Sequence, residues 1–410
     1  MSGASPGGMP GALTGVAAAH DARPVRVMIC DDSATVRGLL ARLLGADSAI
    51  EVVARVADGR QALDALPSAR PDVVLLDLEM PVMDGMTALP LMMRAAPRLA
   101  VIVASALTQR GAAAAMAALR AGACDYIPKP GAGRGGAADP VFRAELLEKV
   151  KGWARMRQAS LPPPAAAQQA PAPSAPMPQH VGGIVGPRPP VSAASAPAEP
   201  VRPARPQSAR RPSLVAVGSS TGGPQALAAF VRGLSVLPSV PLVIVQHMPA
   251  GFTAMLADHL DRLGVLRVTE AKEGELLQAG HAYLAPGDRH LLVERGGDGL
   301  VARLRDDPPE HFCRPAVDPM LRSAERACEG RVLAVILTGM GQDGLSGCRS
   351  LSAAGGTVMA QDEASSVVWG MPGAVARAGL ARELLPPERL GARVSAILAG
   401  AGAETGRMAS

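Results

Sequence analysis

The sequence predicts an α/β protein in which two doubly wound parallel-sheet domains are joined by a flexible linker. Two observations support this fold class. Apolar, strand-like runs alternate with helix-like segments in two separate stretches of the chain, the pattern of parallel sheets with right-handed crossovers. A stretch rich in Pro and Ala, with almost no large apolar residues, separates them and cannot bury a core of its own. With 410 residues, of which 48% are apolar, the chain is long enough for two or three domains.

Composition narrows the class of protein. Aromatic residues make up only 2% of the chain, so the cores must be built from Ala, Val, Leu and Met. The net charge is +5, and the arginines of the Pro-rich stretch have no aromatic residues among them, which disfavours nucleic-acid binding. The five cysteines form no C-x-x-C pair and are expected to be buried, reduced thiols rather than zinc ligands. Because there is neither a signal-peptide pattern nor a run of about 18 apolar residues, we expect a cytoplasmic protein without membrane insertion.

The N-terminal domain is predicted over residues 24–157, after a disordered segment of residues 1–23. Its five strands are predicted in VRVMIC, EVVARV, DVVLLDL, LAVIVAS and CDYIPKP. The helices between and after them are predicted in SATVRGLLARLLG, GRQALDALPSAR, DGMTALPLMMRAA, GAAAAMAALRAG and AELLEKVKGWARMR.

The second domain is predicted over residues 213–400, after a flexible Pro/Ala-rich linker of residues 158–212 and before a disordered tail of residues 401–410. Strands are predicted in LVAV, PLVIV and VLAVIL, with HAYLAP as a further ordered segment. Helices are predicted in PQALAAFVRGL, FTAMLADHLDRLG, MLRSAERA and GLSGCRSLSAAG.

A cluster of acids is predicted at the carboxyl edge of the first sheet. Asp31 and Asp32 follow the first strand, Asp77 ends the third, Ser105 ends the fourth and Lys129 follows the fifth. Clustered carboxylates repel one another unless a cation neutralises them, and oxygen ligands suit Mg²⁺. A lysine and a hydroxyl beside them could hold the oxygens of a phosphoryl group. Each acid taken singly is better explained as a helix cap or a solvent-exposed residue, but the five residues together indicate a site.

Three further residues follow strands of the second domain, namely Ser220, His247 and Asp343. Parallel strands deliver their carboxyl ends to one crevice, where a hydroxyl, an imidazole and a carboxylate can form a nucleophilic triad. Main-chain N–H groups of the Gly222-Gly223 turn and of GMGQDG could form an oxyanion hole. Alternatives remain for each part: GSSTGG could bind an anion, His247 could be structural, and Asp343 could cap the helix that follows.

Residues 24–157 resemble the receiver domain of bacterial response regulators. The matching residues are Asp31-Asp32, Asp77 in LLDLEMPVMDG, Ser105 and Lys129-Pro130. The resemblance implies that Asp77 accepts a phosphoryl group from a histidine kinase and that Ser105 and Lys129 contact it. It also implies that Tyr126 is the switch aromatic. The implied Mg²⁺ ligands are Asp31, Asp32, Asp77 and the main-chain carbonyl of Glu79.

Residues 214–400 resemble the chemotaxis protein-glutamate methylesterase domain. The motifs are GSSTGGPQAL, QHMPAGFT, YLAPGDRH, RPAVDPMLRSA, LTGMGQDG and AQDEASSVVWGMPGAV. The resemblance implies that Ser220 is the nucleophile, His247 the base, Asp343 the orienting acid, and that Met340 contributes a main-chain N–H to the oxyanion hole. Gln342 stands where this family commonly has Asn, a departure that leaves the main-chain roles intact.

The two resemblances together imply a phosphorylation-activated serine hydrolase. Its implied reactions are demethylation of glutamate methyl esters on methyl-accepting chemotaxis receptors and deamidation of certain receptor glutamines, with no cofactor in the catalytic domain. Two alternatives remain. One is a signalling module whose second half only binds partners, which the intact triad residues disfavour; the other is a phospho-regulated hydrolase in a non-motility pathway.

Overall fold

The structure is a computed structural model, and it describes residues 23–106, 108–129, 139–159 and 211–400. The predicted terminal segments, apart from Arg23, and nearly all of the predicted linker lie outside the described residues, as does Pro130. The boundaries expected for these segments therefore stay predictions.

The N-terminal residues form a five-stranded sheet in the order β2-β1-β3-β4-β5, in which every pair of neighbours is parallel. Its strands are β1 (Val25–Cys30), β2 (Ile50–Val56), β3 (Val73–Asp77), β4 (Ala100–Ser105) and β5 (Asp125–Pro128). The helices are α1 (Ala34–Gly45), α2 (Gly59–Ala69), α3 (Gly85–Ala95), α4 (Gln109–Arg120) and α5 (Pro140–Ala159). β3 and β4 are buried along their whole length, as expected for central strands covered by helices on both faces.

The second half contains a seven-stranded sheet in the order β14-β13-β12-β6-β7-β9-β8, again with only parallel neighbours. Its strands are β6 (Leu214–Ser219), β7 (Leu242–Gln246), β8 (Arg267–Glu270), β9 (His281–Leu284), β12 (Val332–Ile336), β13 (Thr357–Gln361) and β14 (Glu383–Leu385). The helices are α6 (Gly223–Gly233), α7 (Phe252–Asp261), α8 (Val317–Cys328), α9 (Leu345–Ala353), α10 (Met371–Arg377) and α11 (Pro387–Leu398). The fold class predicted from the sequence, two parallel-sheet α/β units, is confirmed.

An antiparallel hairpin that the sequence analysis missed adjoins the second sheet. It consists of β10 (His290–Arg295) and β11 (Leu300–Arg305), joined by a Gly-Gly-Asp-Gly turn. The Gly296 N–H donates to the Gly299 carbonyl at 2.7 Å and closes this turn. Paired apolar runs around such a glycine-rich turn are a recognised hairpin signal, so this element was predictable. Within the described ranges, no helix is long and apolar enough to cross a membrane.

Candidate active site

His247 and Asp343 form a direct pair at the carboxyl edge of the seven-stranded sheet. His247 follows β7, and Asp343 lies in the loop between β12 and α9. The imidazole Nε2 and the carboxylate Oδ2 are 2.7 Å apart. Because Nε2 faces the acid, Nδ1 is the ring nitrogen left to act as a base.

The carboxylate of Asp343 is fixed by main-chain donors as well as by the imidazole. The N–H groups of Val317 and Asp318, at the start of α8, donate to its two oxygens at 2.6 and 2.9 Å, and that of Gly344 donates at 2.8 Å. Burial alone would raise the pKa of Asp343, but the bond from His247 and these N–H groups outweigh burial and lower it. Asp343 is therefore an ionised group that holds the imidazole in one orientation, and it also caps α8.

Ser220 directly follows β6, the strand next to β7. Ser219 of β6 and Gln246 of β7 are register partners on neighbouring strands. Ser220 directly follows the first and His247 the second, so the two residues leave the sheet side by side. The main chain of Ser220 is fixed: its N–H donates to the Thr338 carbonyl at 3.0 Å, and its carbonyl accepts from Gln246 Nε2 at 2.9 Å. Among the described residues, no hydrogen bond joins the Ser220 hydroxyl to His247, so this third link of the predicted triad is not formed in the structure.

The main-chain N–H groups predicted for the oxyanion hole differ in whether they already donate a hydrogen bond within the protein. The N–H of Gly223 donates to the carbonyl of Ser220, and the N–H of Gly222 donates to Asp125 of the N-terminal half. The predicted Gly222-Gly223 donors are thus both engaged in this structure. Met340 remains a candidate, since its main-chain N–H has no acceptor among the described residues. The preceding residue, Gly339, lies against Ser220, because a Cβ added at Gly339 would be only 2.8 Å from Ser220 Cβ.

Cys313 lies near enough to the His247 imidazole to act on its charge, a position not predicted from the sequence. The other four cysteines are buried as expected, but Cys313 is partly exposed. Burial lowers the pKa of His247, whereas Cys313 and Asp343 raise it, and together they outweigh burial, so that the pKa lies above 6.5. The imidazole therefore loses its proton, and becomes able to act as a base, at a higher pH than an ordinary histidine.

The acids of the N-terminal sheet cluster as predicted. Carboxylate oxygens of Asp31, Asp32 and Asp77 lie within 4.8 Å of one another. Lys129 Nζ is 2.6 Å from Asp77 Oδ2 and 3.3 Å from Asp31 Oδ2. Burial raises the pKa of Asp77 more than Lys129 lowers it. Asp31 Oδ2 is buried without a hydrogen bond, so the donor set fits a divalent cation with oxygen ligands.

Glu79 and Ser105, two further predicted members of this site, differ in whether they contact Asp77. The main-chain N–H of Glu79 donates to Asp77 Oδ1 at 3.3 Å, which brings the Glu79 backbone to the cluster while its side chain points into solvent beside Arg110. The Ser105 hydroxyl donates to the Gly111 carbonyl of α4 at 2.8 Å. In this structure Ser105 is therefore turned toward α4 rather than toward Asp77.

The N-terminal half contacts the second half close in sequence to Ser220. Asp125 Oδ2 accepts the Gly222 N–H at 3.1 Å, two residues after Ser220. The ring of Tyr126 stacks on Phe252 with centroids 4.9 Å apart, and Arg155 donates to the carbonyls of Ser366 and Val367, both at 2.9 Å. Tyr126 was predicted from the sequence as a site residue, but Asp125 and Arg155 were not. Their partners are about 100 or more positions away in the sequence, and no local sequence pattern indicates such a contact.

Comparisons with known proteins cover both halves. Residues 215–394 match the CheB methylesterase family and residues 27–134 the response regulator receiver domain. The protein-glutamate methylesterase/protein-glutamine glutaminase of Azospirillum brasilense is 49% identical over 371 residues, 90% of this chain and 91% of that protein. One of the same name from Rhodospirillum rubrum is 47% identical over 373 residues, 90% and 94% of the two chains.

Among solved structures, the Thermotoga maritima CheB methylesterase catalytic domain is 39% identical, covering 45% of this chain and 98% of that one with a TM-score of 0.44. The extent and identity of the full-length matches place the chain in a family: it belongs to the protein-glutamate methylesterase/protein-glutamine glutaminases, with a receiver domain and a CheB methylesterase domain.

Proposed function

We propose that this chain removes methyl groups from esterified glutamate side chains of methyl-accepting chemotaxis receptors, releasing methanol, and converts certain receptor glutamines to glutamate, releasing ammonia. The names of the full-length relatives support this proposal. The observation that carries it is the His247–Asp343 pair, 2.7 Å apart, with His247 directly after β7, the strand that neighbours β6 and Ser220. Esterase and glutaminase reactions both attack an sp² carbonyl carbon and form an oxyanion, so one site can perform both.

Ser220 is the proposed nucleophile. Its Oγ bonds to the ester carbonyl carbon while His247 Nδ1 takes its proton, and Asp343 stabilises the imidazolium that results. The main-chain N–H of Met340 is the proposed donor to the oxyanion. The C–OCH₃ bond then breaks, and the imidazolium returns its proton to the departing methoxide, giving methanol. Water deprotonated by His247 hydrolyses the acyl-enzyme and releases the glutamate carboxylate and Ser220.

The receiver half supplies the proposed regulation. We infer that Asp77 accepts a phosphoryl group from a histidine kinase, with Lys129 and Ser105 contacting its oxygens. Asp31, Asp32, Asp77 and the Glu79 carbonyl would hold Mg²⁺, which neutralises charge during that transfer. From this proposed kinase partner and receptor substrate we infer that the protein acts in the cytoplasm.

The contacts between the halves favour inhibition by a covering receiver. Arg155 binds the 366–367 loop, while Asp125 occupies the Gly222 N–H beside the nucleophile. A docked receiver therefore limits access of a protein substrate to Ser220, and we propose that phosphorylation loosens these contacts. A binding-only module and a non-motility pathway are both less favoured, the first because the acid–base pair is formed and the second because the relatives' names specify the methylesterase.

The test is methanol release from a methylated receptor fragment, measured with and without a small-molecule phosphodonor and Mg²⁺. Wild-type protein should release methanol, faster with phosphodonor, and Ser220→Ala should release none above background. Release of ammonia from an unmodified receptor checks the glutaminase reaction. Hydrolysis of a generic ester without any methanol from receptor would contradict the proposed substrate.

A further inference from the structure

A tight turn next to the catalytic pair is held in an unfavourable conformation. The main chains of Glu310 and Cys313 exchange two hydrogen bonds, of 3.1 and 2.8 Å. Between them His311 and Phe312 have φ values of 52° and 63°. Two consecutive left-handed residues favour Asn and Gly, whereas a histidine and a phenylalanine adopt this backbone only at an energetic cost.

Three sets of side-chain contacts hold this turn. Arg322 pairs with the Glu310 carboxylate, and His311 Nε2 lies 3.0 Å from Asp318 Oδ2. Just after the turn, Arg314 donates to the carbonyls of residues 306 and 307 at 3.0 and 3.1 Å and pairs with Asp288. Strained backbone that its surroundings hold this firmly is typical of active sites and ligand clamps.

The turn is built directly onto the acid–base pair. Cys313 lies near enough to His247 to raise the pKa of its imidazole. An imidazole nitrogen of His311 and one carboxylate oxygen each of Asp318 and Asp343 form a cluster in which all three atoms lie within 4.8 Å of one another. The Asp318 N–H also donates to the Asp343 carboxylate. The position of Phe312 is thus fixed relative to the reacting groups through both of its neighbours.

The ring of Phe312 is 86% exposed. The chain has only four phenylalanines, and the other three, Phe142, Phe230 and Phe252, pack against the hydrophobic cores. When a partner protein covers an exposed aromatic ring, the apolar surface of the ring is removed from water, which favours binding. Because this ring is already held rigidly, little conformational entropy is lost, so it is a favourable anchor. It stays exposed while the receiver is docked, so the receiver is not the partner that covers it.

We propose that Phe312 is a substrate-recognition residue, whose ring packs against apolar side chains of the receptor protein next to the esterified glutamate. This inference rests on the proposed function. A methyl ester offers the site only one carbon atom more than the carboxylate product, so selection of particular glutamates has to come from the surrounding protein surface. Phe312 is exposed between His311, which contacts Asp318, and Cys313, which acts on His247, so a protein surface that approaches the acid–base pair can cover its ring.

The test measures methanol release by phosphodonor-activated full-length protein as a function of receptor concentration. Phe312→Ala should raise KM for receptor about tenfold, the usual effect of losing a well-packed aromatic anchor, with kcat changed less than about twofold. Phe312→Leu should retain most of the affinity, because it keeps apolar bulk. Leu237→Ala is the matched control: Leu237 is also an exposed apolar side chain, but it precedes β7 at the opposite edge of the sheet and should leave KM unchanged.

A glycine substitution separates recognition from turn stability. Phe312→Gly removes the ring but suits the left-handed backbone, so its melting temperature should equal or exceed that of wild type while its KM rises as in Phe312→Ala. An unchanged receptor KM in Phe312→Ala, an equal loss on a small ester such as p-nitrophenyl acetate, or a concentration-dependent dimer lost in Phe312→Ala would overturn the assignment. Failure of the proposed function would look different, since wild type would then hydrolyse the small ester but release no methanol from receptor.

Discussion

Arg155 offers a direct perturbation of the contact between the two halves. It lies on α5 of the receiver, is exposed, and donates from one guanidinium nitrogen to the carbonyls of Ser366 and Val367, both at 2.9 Å. Hydrogen bonds from a charged donor contribute about 1.5–3 kcal/mol when desolvated and less when exposed. Arg155→Ala should therefore weaken the docked state by about 1.5 kcal/mol, which shifts the docked-to-open ratio about tenfold.

The assay is the initial rate of methanol release by unphosphorylated full-length protein. If the docked state predominates, Arg155→Ala should raise this rate up to about tenfold, with the rate of residues 211–410 alone as the ceiling. The phosphorylated enzyme should change little, because its interface is already loosened. Arg143→Ala is the matched control, since Arg143 is exposed on the same helix and makes no contact with the second half among the described residues. An Arg155→Ala rate at or below that of wild type, or a fragment slower than the intact unphosphorylated protein, would refute an inhibitory receiver.

Three further predictions concern the chemistry of the two sites. Ser220→Ala should lower kcat by about 10⁴-fold or more while circular dichroism stays native, and Asp343→Asn should be milder; near-normal turnover by Ser220→Ala would exclude the mechanism. Because the pKa of His247 is raised, kcat/KM should increase with pH through a midpoint above 6.5, and Cys313→Ala should move that midpoint to lower pH; an unmoved midpoint would show that the thiol does not act on the base. A small-molecule phosphodonor with Mg²⁺ should label wild type but not Asp77→Asn, and mass spectrometry that located the phosphoryl group on another residue would contradict the assignment.

The sequence predicted the residues that follow strands because one rule governs them. Carboxyl ends of parallel strands meet at one edge, so Ser220, His247 and Asp343 could be grouped without coordinates. The alternative of Asp343 as a cap of the following helix is not what the structure shows: Gly344 is the N-cap of α9, and the Asp343 carboxylate binds the N–H groups of Val317 and Asp318 at the start of α8 as well as His247. Among the described residues no hydrogen bond joins Ser220 to His247, so that part of the triad stays a prediction.

Contacts between distant loops were not predictable in this way. Cys313 was expected to be a buried, reduced thiol, yet it is partly exposed and acts on the charge of His247, 66 positions away along the chain. Asp125 lies in the predicted fifth strand, but its carboxylate meets Gly222 across the linker. No periodicity or composition encodes such pairings, because they depend on how the two halves dock.

Strand β5 connects the phosphorylation site with the nucleophile over a short distance. At one end, Lys129 directly follows Pro128 and binds Asp77 at 2.6 Å; at the other, Asp125 binds the Gly222 N–H. At about 3.3 Å per residue, the four residues of β5 span about 13 Å. A phosphoryl group adds about −1.5 to −2 charges beside Lys129 and draws that ammonium toward its oxygens.

The same strand carries the Tyr126 ring that stacks on Phe252, and buried Lys149 ties the Tyr126 carbonyl to the Asp125 carboxylate at 2.6 and 3.5 Å. A displacement of β5 toward the phosphoryl group therefore acts on the aromatic stack and the Gly222 contact together. In the proposed regulation, release of the second half needs no relay through the core of either sheet, since the contacts of Lys129 with Asp77 and of Asp125 with Gly222 lie at the two ends of β5.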